Sequence, residues 1–413
     1  MKKILFLSIF FLISVFIGYE NPKLVEKPKN YIKFHLKNMN LIDNFAVDKI
    51  EIKETEKEKY KIEEKNQLTV EGNSYDLILN KQINFDGRTA GFFIDNLDNK
   101  KFEFDIFLQN GLNINNNFTK EIFLPKDISF DQNGGLKSIF EVNEKKFAIT
   151  SNKNINCAYA VIYEIETKMN LLKTKCLPDI KNVDFNGLGG AVIEKDNYIY
   201  LSIGAPEWDS KQISSLAQDE EYFYRKIIRI KKDYFINNSE GEAVIDIFTY
   251  GHKNPQGLTY SDKHFFSIEH GPQGGDEINL IKDGNNYGWP LVSYGTRYNS
   301  GKGYEKTNSN FVKPLYTFLP SIAPSSLAAC PKNLNNYFKD DLCLMSLSLR
   351  GMSLYVILID KTNLNLISLE KFNLEKRLRH FGFNKKKVYY NKNKFYVSAD
   401  GDGIYSAEFI ALR

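Results

Sequence analysis

The sequence predicts an all-β chain that closes into a β-propeller, and three features carry that expectation. The first is composition: 31 Phe and 24 Tyr, with few Ala-rich or Leu-rich helical stretches, favour pleated, half-buried strands. The second is a recurring turn-to-strand unit. It runs from Asn143 to Phe147, Asp196 to Tyr200, Asp262 to Phe266, Asp340 to Leu342 and Asn393 to Phe395, with final residues spaced by 53, 66, 76 and 53 positions. A fainter sixth copy lies at Thr89–Ile94. A four-stranded blade needs a neighbour on each face to bury its sheet, so repeats of this length imply a ring, and six copies would close it. The third is the stretch from Gly251 to Pro290, where Gly and Pro force tight turns between short strands and loops carry the polar residues.

At the N-terminus, Lys2 and Lys3 precede an uncharged apolar run from Ile4 to Tyr19, the positive and hydrophobic regions of a secretory signal. Residues 1–19 are therefore expected to be a cleaved signal. An uncleaved anchor is the alternative, because no clean small-residue cleavage site follows, although the run is shorter than the ~20 residues that span a bilayer. Residues 20–84 read as an irregular lead-in and the start of the first blade, and residues 85–413 as the propeller proper.

The cysteines come next. Cys157, Cys176, Cys330 and Cys343 are an even set in a chain expected to be exported, which permits disulfides in three connectivities. Two strands at 158–166 and 171–175 read as a hairpin whose ends would bring Cys157 to Cys176, leaving Cys330 for Cys343. Four reduced, buried thiols are the other reading. Charged residues make up 26% of the chain and the formal net charge is +4. Its lysines are scattered among acids and Asn, so no basic face points to nucleic acid.

In the 251–290 stretch, three linked motifs stand in order: His252 to Leu258, Glu269 to Asn279, and Asn286 to Pro290. Together they resemble the soluble glucose/sorbosone dehydrogenase family, quinoproteins that bind pyrroloquinoline quinone (PQQ) with calcium. Weaker resemblance runs from about Gly134 to the C-terminus. It implies a six-bladed propeller, which agrees with the repeat.

PQQ is a planar ortho-quinone with three carboxylates, so a site for it needs fixed cations and a divalent ion beside a quinone oxygen. Arg suits carboxylates because its planar fork meets both oxygens. By resemblance, the cofactor-binding residues are Lys253 and Asn254, where the family has Arg-Asn, together with Arg350, Arg377 and Arg379. Strand alternation places Arg377 and Arg379 on one face. The same resemblance implies calcium ligands from the turn Gly271-Pro272, with Asp276 and Glu277 orienting that loop or capping turn amides. Asp400-Gly401-Asp402-Gly403 looks like a calcium loop but reads better as a hairpin turn.

The proton acceptor is where this chain departs from the pattern. The family's catalytic histidine falls on Gly187 and a following arginine on Ala191. Asp184, beside the altered element, is the candidate substitute. His252 and His270 are expected to hold loops. Two functions therefore stand open: an exported, periplasmic or extracellular aldose dehydrogenase using PQQ and calcium on a small-molecule sugar, or a catalytically inactive propeller that binds a ligand or protein. Membrane contact is expected only through an uncleaved N-terminus, and nothing in the sequence bears on the oligomeric state.

Overall fold

Alternating apolar residues, cut at intervals by Asn, Asp and Gly turns, build six sheets arranged as the blades of a propeller, antiparallel except where the short strand Phe383–Asn384 pairs parallel with Thr89–Asp98. The computed structural model describes residues 67–410 except 99–100, 116–117, 123, 179, 181–182, 207–209, 238–244, 299, 307–308, 385–386 and 392. The apolar N-terminal run lies outside the described residues, among which no helix is long and apolar enough to cross a membrane.

From the inside outwards, blade 1 runs through Thr89–Asp98, Lys101–Leu108, Leu112–Asn115 and Phe118–Glu121. Blades 2 to 5 repeat the meander, with innermost strands Leu136–Val142, Gly189–Lys195, Pro255–Ser261 and Pro324–Ala329. Blade 6 is composite. Its inner strands Leu378–Phe381, Lys394–Ala399 and Gly403–Ile410 come from the C-terminal end, and Asp76–Asn84, edged by Gln67–Val70, completes it. Hydrogen bonds thus join the first and last described strands in one sheet. Residues 76–84, expected to begin the first blade, close the last one instead. Leu77 and Leu79 show why: both are fully buried in the core shared by blades 5 and 6.

Neighbouring innermost strands pack on one another around the circle, including the strand of blade 6 on that of blade 1. Six hydrophobic clusters follow, one between each pair of adjacent blades. No blade buries its apolar faces alone, and burial of these faces is the main stabilising term.

The repeat seen in the sequence is the second strand of a blade, with Phe147, Tyr200, Phe266, Leu342 and Phe395 all at that level. Two of the turns before it, Asn143-Glu144 and Asp262-Lys263, have positive φ at both central residues (50° and 69°, 45° and 68°), the conformation a tight hairpin requires. The sixth copy is shifted in register. Thr89–Ile94 belongs to the innermost strand of blade 1, and the equivalent second strand is Lys101–Leu108. Both expected disulfides form, Cys157–Cys176 across the outer hairpin of blade 2 and Cys330–Cys343 beside blade 5, with Cα separations of 5.1 and 5.4 Å.

Candidate active site

All six innermost strands enter the ring from the same end, so the residues at their starts face one axial space. They line a cavity of about 320 Å³, within the range of small-molecule sites. Blade 1 contributes Arg88 and Thr89, blade 2 Lys137, and blade 3 Gly187 and Gly189. Blade 4 adds Lys253, Asn254 and Gln256, blade 5 Ser325, and blade 6 Arg377, Arg379 and His380. Farther along the same strands a second cavity of about 550 Å³ follows, more apolar, with Phe93, Ile139, Leu258 and Leu327 in its wall. Lys137, Gly189, Gln256 and His380 border both.

The first cavity is strongly cationic. Arg379 is held by a bidentate ion pair, its Nε and Nη2 each 2.5 Å from a carboxylate oxygen of Asp400. Arg377 stands on the same side with Nε 3.7 Å from Asp400 and half its side chain exposed. Arg88 donates to Asn133 Oδ1 at 2.8 Å. Arg225, fully buried, donates Nη1 to the carbonyl of Lys253 at 2.8 Å, fixing the turn that carries Lys253. Both cations lie over the Trp289 ring, at 5.6 and 5.7 Å from its centroid. So many like charges raise the energy of the open cavity, and an anion of matching shape relieves it.

Asn133, outside the lining, is the hub that joins lining residues Arg88, Gln109, Lys137 and Asp184. Its backbone is in the left-handed region, φ 63°, directly after Gln132 at 48°. Besides accepting from Arg88, it receives Lys137 Nζ at 3.0 Å and Gln109 Nε2 at 2.6 Å on its carbonyl, and gives its amide to Asp184 at 3.2 Å. Burial, then Arg379 and Arg88, against the opposing pull of Asp184, push the Lys137 ammonium down to about 7. His380 is driven further, to about 3, by burial and the adjoining Arg379. Its Nδ1 meets Thr89 Oγ1 at 2.9 Å.

Buried carboxylates hold the loops. Glu269, 3% exposed, takes His252 Nδ1 and Asn279 Nδ2 on one oxygen, both at 2.9 Å, and the amides of Lys253 and Asn254 on the other at 2.8 and 3.3 Å. Asp276, fully buried, accepts from the Gly271 amide, Ser321 Oγ and the amides of Ile322 and Ala323 at 2.6–2.9 Å. It caps the turn, as one of its two sequence readings held. His252 also meets Thr249 Oγ1, and His270 Nε2 donates to the Pro324 carbonyl at 2.7 Å; both histidines hold loops. His270 also borders the cavity, and burial, with Lys253 and Arg379 nearby, lowers its proton affinity.

The residues named from the sequence are thus distributed as follows. Lys253, Asn254, Arg377, Arg379, Asp184 and Gly187 reach the cavity. Arg350 does not. Its side chain is exposed and Leu349 lines the wall in its place, because the tight 348–353 loop, with Gly351 donating to the Ile322 carbonyl, presents the preceding residue. Gly271 and Pro272 are buried outside the lining, in a loop so closely folded that a Cβ on Gly271 would stand 2.0 Å from the Gly275 carbonyl oxygen. No group of three or more His, Cys, Asp or Glu side chains suited to a metal occurs among the described residues. Asp400 and Asp402 flank a hairpin turn and are taken by Arg379, Lys81 and Lys376.

Gly187 sits in a short 3-10 turn, Phe185–Leu188, capped by Asp184, whose Oδ1 accepts the Asn186 amide at 2.9 Å. A Cβ on Gly187 would lie 2.5 Å from the Ala205 carbonyl oxygen. Ala191 faces the second cavity. Arg88, Lys137, Gln109 and Gln256 were missed from sequence; Gln256 lies inside the first motif without having been singled out, and the other three lie outside the motifs, where the one available signal for Arg88 and Lys137 was a position at or just before the start of an inner strand.

Comparison with known proteins agrees with this architecture. The family model for glucose/sorbosone dehydrogenase matches residues 166–393. An uncharacterized protein of Synechocystis is 36% identical over 146 residues, 32% of this chain and 35% of its own length. Aldose sugar dehydrogenase YliI of Escherichia coli is 33% identical over 125 residues, 28% of this chain and 32% of its own. Quinoprotein glucose dehydrogenase B of Acinetobacter calcoaceticus is 37% identical over 111 residues, covering 26% and 23%. The chain thus spans about a third or less of the curated relatives it matches. The crystal structure of the soluble aldose sugar dehydrogenase from Escherichia coli in its apo-form superposes with a TM-score of 0.64 at 18% identity, covering 82% of this chain and 100% of that one. The PQQ-bound aldose sugar dehydrogenase from Streptomyces coelicolor gives 0.56 at 19%, covering 83% and 99%. At such identity these two establish the fold.

Proposed function

The chain belongs to the glucose/sorbosone dehydrogenase family, and from that premise we propose that it is an exported, quinoprotein-like aldose dehydrogenase that takes up PQQ and calcium. One observation carries the reading: Arg88, Lys253, Arg377 and Arg379, from three different blades, converge on one cavity at the mouth of the ring. A flat tricarboxylate fits that donor set, because guanidinium forks meet carboxylates in plane.

In this reading Arg377, Arg379 and Arg88 would hold carboxylates, and Lys253 with Asn254 would complete the donor set. Lys253 keeps the charge of an arginine without its fork. By resemblance, calcium would take the carbonyls of Gly271 and Pro272, which lie in the buried loop outside the cavity lining. PQQ supplies, when bound, a two-electron acceptor for a sugar hydroxyl carbon. The chain's own part is to orient the sugar over the cationic floor, exclude water and take up a proton. Two disulfides support export, since such bonds persist in oxidising compartments.

A second reading, a binding module without turnover, is favoured by Gly187. The carbonyl of Ala205 leaves no room there for a side chain, so the family's base has no direct replacement at that position. Purified protein titrated with PQQ and calcium, then given aldoses and a redox dye, separates the two. Uptake with dye reduction supports the dehydrogenase, uptake alone the binding module, and no uptake refutes the cofactor assignment.

A further inference from the structure

Oxidising a sugar hydroxyl to a carbonyl breaks two bonds. The C–H bond leaves with its electron pair to a two-electron quinone acceptor, and the O–H bond gives its proton to a base. We infer that Lys137 is that base: its neutral amine takes the hydroxyl proton, forming the N–H bond of an ammonium as the C=O bond forms. The inference rests on the dehydrogenase reading above.

Position carries it. Lys137 borders both cavities, at the neck where the cationic mouth meets the apolar channel. It lies beside the altered element, because its backbone carbonyl is 3.3 Å from where a Cβ on Gly190 would stand, and Asn133 ties Lys137 Nζ to Asp184. Lys137 and Gly187 thus border the same cavity, with Asp184 linked to both.

The other groups serve poorly. Guanidinium groups stay protonated. Asp184 is engaged in capping Asn186 and accepting from Asn133, and the rings of His380 and His270 are tied to Thr89 and Pro324. The charged and titratable groups facing Lys137 are Arg88 from blade 1, Asp184 from blade 3, and Arg379 with His380 from blade 6. Three cationic or neutral neighbours against one acid lower the proton affinity of the amine, so that a share of it is unprotonated near neutral pH in the open cavity. An anionic ligand favours the ammonium, so the loaded enzyme speeds up as pH rises above 7.

The test uses Lys137→Met and Lys137→Arg in the full chain. Arginine keeps the charge and a donor for Asn133 but cannot accept a proton, so a merely structural lysine is rescued by it and a base is not. Expected are PQQ uptake by both variants and a fall in kcat/KM of on the order of 100-fold or more in each, with loss of the alkaline rise. Trace acetylation of the protein without PQQ, mapped by mass spectrometry across pH, should show Lys137 reacting near neutrality while surface lysines wait for higher pH. Acetylation of Lys137 only in step with surface lysines overturns the inference, as does near-wild-type turnover in Lys137→Arg, or transfer of the pH dependence to a His270→Asn variant. A wild-type chain that takes up no PQQ overturns the dehydrogenase reading and the base with it, an outcome told from the others by uptake alone.

Discussion

Replacing Glu269 by Gln probes how the cavity's most motif-rich wall is held. Each carboxylate oxygen receives two donors, His252 Nδ1 and Asn279 Nδ2 on one and the amides of Lys253 and Asn254 on the other. Glutamine offers one acceptor oxygen and an NH₂ group, so either orientation sets its NH₂ against two of those donors. Two charge-assisted hydrogen bonds are lost at roughly 1.5–3 kcal/mol each, and breaking a buried charged pair costs a comparable sum. The expected destabilisation is about 3–5 kcal/mol, read as a lower urea midpoint. PQQ uptake should weaken too, because Lys253 and Asn254 lose their anchor. The pH dependence gives a second check. Burial alone raises the Glu269 proton affinity, but His252 and the two backbone amides reverse this and hold its pKa below the ordinary 4.5. A lowered folded value means the contribution is complete above the ordinary carboxylate range and is lost as pH falls through the folded one. Wild type and variant should therefore differ most near neutrality and converge in acid. A loss under about 1 kcal/mol with unchanged uptake would refute this account.

Four further outcomes follow from the same geometry. Asp400→Asn removes the bidentate support of Arg379; PQQ affinity should fall about tenfold in a titration, and tighter binding would show that the carboxylate competes with the ligand. Gly187→His should lower the melting temperature, by about 1–3 kcal/mol of overpacking against Ala205, without gaining sugar oxidation; a stable, more active variant contradicts the lack of room at that position. Converting Cys157 and Cys176 to Ser opens a bridge across 19 positions and should cost about 3 kcal/mol, checked by unfolding with and without reductant. Removing the chain through Asn84 strips the outer strands from blade 6, Leu77 and Leu79 among them, and uncovers the core residues they pack on, Phe372 and Phe409 included; size-exclusion chromatography should show association in place of a monodisperse peak.

The ring was legible in the sequence because its unit is local: a tight Asn or Asp turn into an aromatic strand depends on neighbours only a few positions away, and it recurs. The disulfides were legible for the same reason, each closing a short hairpin-scale loop. Closure was not. Which strand completes blade 6 depends on contacts between residues more than 300 positions apart, such as Leu79 with Ala407, and Asp76–Asn84 has no turn signature to mark it. Among site residues, Lys253, Asn254, Arg377 and Arg379 stood in motifs and reach the cavity, whereas Arg350 was displaced by one position in a loop whose shape its motif did not encode.

Composition, periodicity and three linked motifs alone determined the strand-rich ring, the family and the absence of a histidine at Gly187. The tertiary structure alone decided that the starts of six strands share one axial space, that Arg88 joins the cations there with Lys137 beside them, and that Ala205 closes off Gly187. The physical reason is range. Backbone turns and alternation are set by a few consecutive residues, while an electrostatic site is a sum over side chains that only closure of the ring brings together.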